Sequence, residues 1–131
     1  MILHAIYKTL ITGFATKKFY LNQAFNAKDE YYVLKTIIAS EDSVKDTFCS
    51  DNEGQIQIQI DGIAKDTLTS EENLEVIKNF VKGLSSVTDG VNTYIIENNI
   101  TDGVKSISDI SFNTWLSFFE STLKWRKLNG N

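Results

Sequence analysis

A strict alternation of Gln and Ile in QIQIQIDG, residues 55–62, restricts this part of the chain to a β-strand. Successive side chains of a strand point to opposite faces, so Ile56, Ile58 and Ile60 all lie on one face. Three aliphatic side chains on one face need an apolar cover. The other face carries neutral amides where charged residues are common, which raises the question of what lies against it.

A helix that could supply the cover follows in LTSEENLEVIKNFVKGL, residues 68–84. Its apolar residues recur at helical spacing and form one stripe. Thr69 and Glu72 have the spacing of a capping box, which predicts that the helix begins there. We therefore predict a core that contains Ile56, Ile58, Ile60, Leu74, Ile77, Val81 and Leu84, with Phe80 on the same stripe.

The remaining segments predict a second helix and further strands. Helical spacing over residues 2–14 predicts a helix that ends near Gly13. YYVLKTIIA, residues 31–39, is apolar on both faces, which is typical of a strand inside a sheet. A short strand is expected within residues 44–49, and Asp61-Gly62 is expected to form a bend or bulge.

The C-terminal third of the chain combines turn, strand and helix patterns. VTDGVNT and ITDGVKS predict two Asp-Gly turns on either side of one strand, residues 92–99. Residues 107–121 fit both a strand and a helix, whereas Leu123 and Trp125 alternate with polar residues and predict a final strand. The order α-β-(β)-β-α-β-β predicts an α+β fold, with an antiparallel β-sheet packed against two α-helices in a single domain over residues 1–131.

Charge and hydropathy narrow the possible partners. The 131 residues include 13 Lys and Arg against 17 Asp and Glu, a net charge of −4. Specific nucleic-acid binding is therefore not expected, because it needs a basic surface. No apolar run approaches the ~20 residues that span a bilayer, and the N-terminal segment lacks the basic start of a signal peptide. We expect a protein of the cytoplasm with no membrane contact.

The chain shows no motif for catalysis, for a cofactor or for a metal. His4 and Cys49 are its only histidine and cysteine, too few for the usual zinc site. We expect His4 to lie at the surface of the first helix and Cys49 to be a small buried thiol. No glycine-rich phosphate-binding motif is present. We therefore predict a protein that is not an enzyme.

Several segments resemble a family of virion proteins. The strand YYVLKTII, the segment DTFCSDNEGQIQIQIDGIAKD, the helix SEENLEVIKNFVKGL and the closing FFESTLKWRK, in this order, resemble the tail terminator proteins of long-tailed bacteriophages, also called tail completion or minor tail U-like proteins. The resemblance implies a small α+β subunit that forms a homohexameric ring. The ring would cap the tail tube and join it to the head–tail connector proteins in the neck of the virion, after assembly in the host cytoplasm.

The amide row would then lie in a subunit interface. Each subunit of a ring contacts its neighbours through two unlike surfaces, and amides can donate and accept hydrogen bonds there without burying charge. We expect Glu at positions 57 and 59 to leave the fold intact and to block the ring. The alternative is that the amides face solvent. The predicted interface comprises Gln55, Gln57, Gln59, Lys124, Arg126 and Lys127.

Two other functions fit the same sequence. One is a head-completion or neck adaptor protein of the same virion. The other is a small non-enzymatic regulatory module that binds a host protein as a monomer or a dimer. Native mass in solution distinguishes a ring from a small complex with a host protein.

Overall fold

The computed structural model describes residues 2–23, 30–41, 53–64, 67–109 and 114–128. The elements are, in chain order, α1 (Ile2–Gly13), β1 (Phe19–Leu21), β2 (Tyr31–Glu41), β3 (Glu53–Ala64), α2 (Thr67–Lys82), β4 (Ser86–Thr88), β5 (Thr93–Thr101), β6 (Lys105–Asp109) and β7 (Thr114–Leu128). Two helices and a mostly antiparallel sheet confirm the predicted α+β class.

The seven strands form one sheet in the order β1-β2-β3-β7-β5-β4, with β6 also paired to β7. β1 and β2 are parallel, and the other pairs of these strands are antiparallel. β3 and β7 lie at the centre and pair without a register shift from Glu53, opposite Arg126, to Ala64, opposite Trp115. The Gln/Ile segment is thus the middle of the sheet.

Both helices pack on the same face of the sheet. Ile6 and Leu10 of α1 belong to one apolar cluster with the stripe of α2 and with the Ile side of β3. Six residues of the predicted core are at most 2% exposed, namely Ile56, Ile58, Ile60, Leu74, Ile77 and Val81, which confirms them. Leu84 is half-buried and packs against the same cluster.

β3 continues through Asp61-Gly62, so the predicted bend or bulge there is wrong. Gly62 lies opposite Tyr32 of β2, and a Cβ at Gly62 would stand 3.0 Å from the Tyr32 ring. The glycine therefore makes room for an aromatic ring that lies across the strand. The irregularity between these two strands is instead at Thr36 and Ile38.

The first Asp-Gly pair forms the predicted turn, between β4 and β5. The carboxylate of Asp89 accepts hydrogen bonds from the backbone N–H groups of Asn92, at 2.7 Å, and Val91, at 2.9 Å. These bonds lower the pKa of Asp89 to about 2. Gly90 has a φ of 95°, which glycine adopts without strain.

The second Asp-Gly pair does not reverse the chain, so that prediction is wrong. β5 and β6 both pair antiparallel to β7, β5 from Leu128 to Ser121 and β6 from Phe118 to Thr114. Residues 102–104 therefore only interrupt one line of strand. The reason is the length of β7, whose 15 residues offer partners to both segments.

Other boundaries differ from the prediction. α2 begins at Thr67, so Thr69 lies inside the first turn and the predicted capping box is wrong. Residues 114–128 form one strand, so residues 114–121, whose pattern fitted both a strand and a helix, are strand. The short strands β1, β4 and β6 were not predicted. The strand expected within 44–49 and the thiol of Cys49 lie outside the described residues.

Candidate assembly surface

The strand register divides the side chains of the sheet between two faces. The inner face carries the Ile residues of β3 and is covered by the helices. Of the described helices and strands, none packs on the opposite face, which we call the outer face. It comprises Tyr20 of β1, Tyr31, Val33 and Lys35 of β2, Glu53, Gln55, Gln57, Gln59, Asp61 and Ile63 of β3, Leu116, Phe118, Glu120, Thr122, Lys124 and Arg126 of β7, Ile95, Asn98 and Ile100 of β5, and Lys105 of β6.

One end of the outer face is apolar. Tyr31, Ile63 and Leu116 stand side by side on three neighbouring strands, and all three are half-buried. Tyr20 meets Tyr31 edge to face, with ring centroids 6.0 Å apart. Aromatic and aliphatic groups that stay half-exposed on a sheet are suited to contact with another protein surface.

The middle of the outer face holds a buried carboxylate. Asp61 is only 4% exposed. Its Oδ2 lies 2.5 Å from Nζ of Lys35 on β2, and its Oδ1 accepts a hydrogen bond of 2.5 Å from the amide of Gln59. The buried charge is therefore paired and hydrogen-bonded, which such a group requires.

The second amide also serves a carboxylate. Nε2 of Gln57 donates to Oε2 of Glu120 on β7 at 3.0 Å. A carboxylate at position 57 or 59 could not donate these bonds at neutral pH. Donation to Glu120 and Asp61 therefore explains why this face carries Gln instead of Glu, and it gives the amides a role within the subunit.

The other end of the outer face is charged. Lys124 is exposed and lies between Gln55 on β3 and Asn98 on β5. Arg126 is also exposed, and its Nε lies 3.7 Å from Oε2 of Glu97.

Lys127 does not belong to this surface. It alternates with Arg126 and falls on the inner face, opposite Tyr94 of β5. Five of the six predicted interface residues, Gln55, Gln57, Gln59, Lys124 and Arg126, thus share the outer face, whereas Lys127 lies on the other face of the sheet.

Both edges of the sheet disfavour the addition of another strand. β1 and β4, the outermost strands, have three residues each. β2 and β5, the strands beside them, each contain a bulge, at Thr36/Ile38 and at Ile96/Asn98. Short edge strands and bulges limit edge-to-edge pairing. Contact through the outer face is therefore favoured over extension of the sheet.

A polar cluster that the sequence did not predict lies where the turn after α1, the start of β2 and α2 meet. The hydroxyl of Tyr32 donates to Glu30 at 2.5 Å, the amide of Asn73 donates to both oxygens of Glu30 at 3.0 Å, and Lys17 lies 3.6 Å from Glu30. Burial, and then the bond to Glu30, raise the pKa of Tyr32 well above its usual range. Tyr32 therefore stays neutral, and the cluster around Glu30 is suited to fixing α2 on the sheet.

A cleft of about 580 Å³ separates the C-terminal half of α1 from the β4–β5 hairpin, with Phe80 of α2 among its lining residues. Lys8 closes part of it through a 2.9 Å hydrogen bond to the backbone oxygen of Asp89. The hydroxyls of Thr9 and Thr12 bond to the backbone of their own helix. These polar groups are engaged within the subunit, so the cleft offers little for recognition of a ligand.

The described residues contain no group of three or more His, Cys, Asp or Glu that could hold a metal ion. His4 is exposed on α1, as expected. Among the described helices, none is long and apolar enough to span a bilayer.

No protein-family model matches this sequence, and no curated protein matches it.

Proposed function

We propose that this protein is a structural virion assembly protein, a tail terminator whose copies form a ring that caps the tail tube and joins it to the head connector. The observation that carries the assembly role is the outer face, which has no described helix or strand packed on it. In the ring, this face contacts a neighbouring copy.

The middle of the outer face can be covered at low electrostatic cost. Two of its carboxylates already have partners within the subunit, because Lys35 pairs with Asp61 and Gln57 donates to Glu120. A neighbour that covers the face does not have to compensate these charges, whereas burial of an unpaired charge is strongly unfavourable. The half-buried apolar end supplies the area from which hydrophobic stabilisation comes.

The edges of the sheet support an assembly of limited size. Contacts that join unlike surfaces form a ring when the rotation closes and a filament when it does not. Short edge strands and bulges disfavour growth by strand addition, which would give an open fibre. The resemblance to tail terminators in turn implies a ring of six copies and its place at the end of the tail tube.

Deletion of the gene from the phage that carries it tests this function. A tube end without a cap still presents the surface to which the next tube subunit adds, so we expect overlong tails without heads in electron micrographs. A plasmid copy of the gene should restore tails of uniform length that are joined to heads. Tails of normal length without heads would instead indicate a neck adaptor, and normal virions would indicate a regulatory module.

A further inference from the structure

We propose that the free subunit pairs with a second copy through the outer face, in a two-fold dimer that has to separate before this face can enter the ring. The dimer goes beyond the proposed function. It uses the same face but does not depend on the ring.

The two central strands of the outer face are complementary to each other at most positions, with Asp61 and Phe118 as the exception. A two-fold axis between β3 and β7, parallel to the strands, places β3 of one copy over β7 of the other. Each residue of β3 then lies over the residue that is its register partner within the subunit. Opposite charges meet where Glu53 lies over Arg126, and apolar side chains meet where Ile63 lies over Leu116.

The amides fit the same arrangement. Gln59 lies over Glu120, so an amide N–H of one copy faces a carboxylate of the other, and Gln55 lies over Lys124, so an amide oxygen faces an ammonium group. Because the axis is two-fold, each of these contacts occurs twice in the dimer. Sheets that pack face to face keep their strand directions within about 30° of each other, and the contacts described here require the strands of the two copies to lie close to parallel.

The size of the face agrees with a dimer. Its strands form four columns, β2, β3, β7 and the line of β5 and β6. At usual strand spacing and rise, β3 and its neighbours cover an area of about 700 Å² per copy. A stable interface of standard size buries about 800 Å² per partner. Pairing of two outer faces therefore provides roughly the area of a specific dimer.

Sedimentation equilibrium from about 1 to about 200 µM chain gives the dissociation constant of the free protein. Thr122 is half-buried at the centre of the face, and Thr16 is exposed in the turn after α1. Thr122→Arg should raise the dissociation constant at least about 100-fold, because it places a bulky charge at the centre of the interface. The matched Thr16→Arg should change it less than about twofold.

Charge reversal at one contact tests the geometry and does not depend on Thr122. Glu53→Arg and Arg126→Glu should each weaken the dimer about tenfold, since each places like charges opposite each other twice. An equimolar mixture of the two variants should recover the parent affinity as a heterodimer in native mass spectrometry, because Arg then faces Glu at both contacts. Circular dichroism checks that each variant is folded.

A chain that stays monomeric throughout this range would overturn the dimer, as would a free hexamer. Equal effects of Thr122→Arg and Thr16→Arg would place the contact on another surface, and a mixture that fails to recover would reject the two-fold arrangement. These outcomes are independent of the tails of the deletion phage. A dimer with normal tails would leave the inference standing and reject the proposed function, and a monomer with overlong tails would do the reverse.

Discussion

The exchange of Gln57 for Glu tests whether the amides of the outer face are chosen for the bonds they donate. In the parent chain Nε2 of Gln57 lies 3.0 Å from Oε2 of Glu120. Glu has nearly the same size and strand preference, so the change removes the donor and places two carboxylates in contact. The expectation that Glu at positions 57 and 59 leaves the fold intact stays a prediction, and this exchange measures its cost in stability.

Two effects limit how far Gln57→Glu can lower the free energy of unfolding. Unit charges 4 Å apart repel by about 4 kcal/mol at an effective dielectric constant of about 20. The introduced carboxyl can instead take up a proton, which limits the loss at pH 7 to about 3.7 kcal/mol, given a reference pKa of about 4.3. Both side chains are half-exposed, so solvent lowers the repulsion further. We expect Gln57→Glu to lower the free energy of unfolding by about 1–3 kcal/mol at neutral pH.

The dependence on pH identifies the cause. The neighbouring carboxylate raises the folded-state pKa of the introduced carboxyl above its unfolded value. The loss of stability is therefore full above the folded pKa and disappears as the pH falls below about 4.3, where the protonated group can donate again. Urea unfolding, followed by circular dichroism from about pH 7.5 to about pH 4, measures this difference between variant and parent.

Gln55→Glu is the matched control on the same strand. Gln55 is exposed and lies opposite Lys124, so a carboxylate there meets an opposite charge. We expect a change within about 0.5 kcal/mol. If Gln57→Glu destabilises the chain no more than Gln55→Glu does, donation to Glu120 is not the reason for the amide.

Two further predictions concern the core and the cluster around Tyr32. Ile58 is fully buried under α2, so Ile58→Ala should lower the free energy of unfolding by about 2–5 kcal/mol. Val76 is 55% exposed, so the control Val76→Ala should lower it by less than about 0.5 kcal/mol. A loss under about 1 kcal/mol for Ile58→Ala in urea titrations would contradict the packing. The raised pKa of Tyr32 stabilises the fold fully below its unfolded pKa of about 10, and this contribution falls by up to about 1.4 kcal/mol per pH unit above it. Tyr32→Phe should therefore flatten the fall of the urea midpoint above about pH 10, and an unchanged slope would refute this.

Local pattern was enough for the elements that bury one face. Alternation identified β3 because the Ile residues need one buried side, and a stripe at helical spacing identified α2 for the same reason. The core followed from placing one on the other. β1 and β4 were missed because three residues are too few to show a period.

The amides of Gln59 and Gln57 each bond to a carboxylate, and only the first of these two contacts could be predicted from the sequence. Asp61 lies two residues after Gln59 on the same strand, so alternation alone places them on one face. Glu120 lies 63 positions from Gln57, and only the pairing of β3 with β7 brings the two together. The alternation therefore predicted a face of amides, but only the strand register identifies Glu120 as the partner of Gln57.

The face on which Lys127 lies and the path of the chain at the second Asp-Gly pair both depend on β7. Three basic residues close in sequence look like one patch, but alternation along β7 sends Lys127 to the face opposite Lys124 and Arg126. Asp102-Gly103 looks like a hairpin turn, but β7 is long enough to pair on both sides of it. In both cases the pairing and alternation of β7 determine the structure, and the short sequence pattern does not.

The bulge in β5 should determine whether this edge of the sheet can pair with a strand of another molecule. Ile96 lies opposite Trp125 and Asn98 opposite Lys124, so Glu97 is the extra residue of the bulge. Its deletion would restore a regular ladder and a straighter edge beside Ile100, which is 62% exposed. We expect the deletion variant to remain folded at low concentration and to form thioflavin-positive aggregates as concentration rises. Glu97→Ala keeps the bulge and removes the same charge, so it should remain soluble. If the two variants aggregate alike, the lost charge, and not the straightened edge, is responsible.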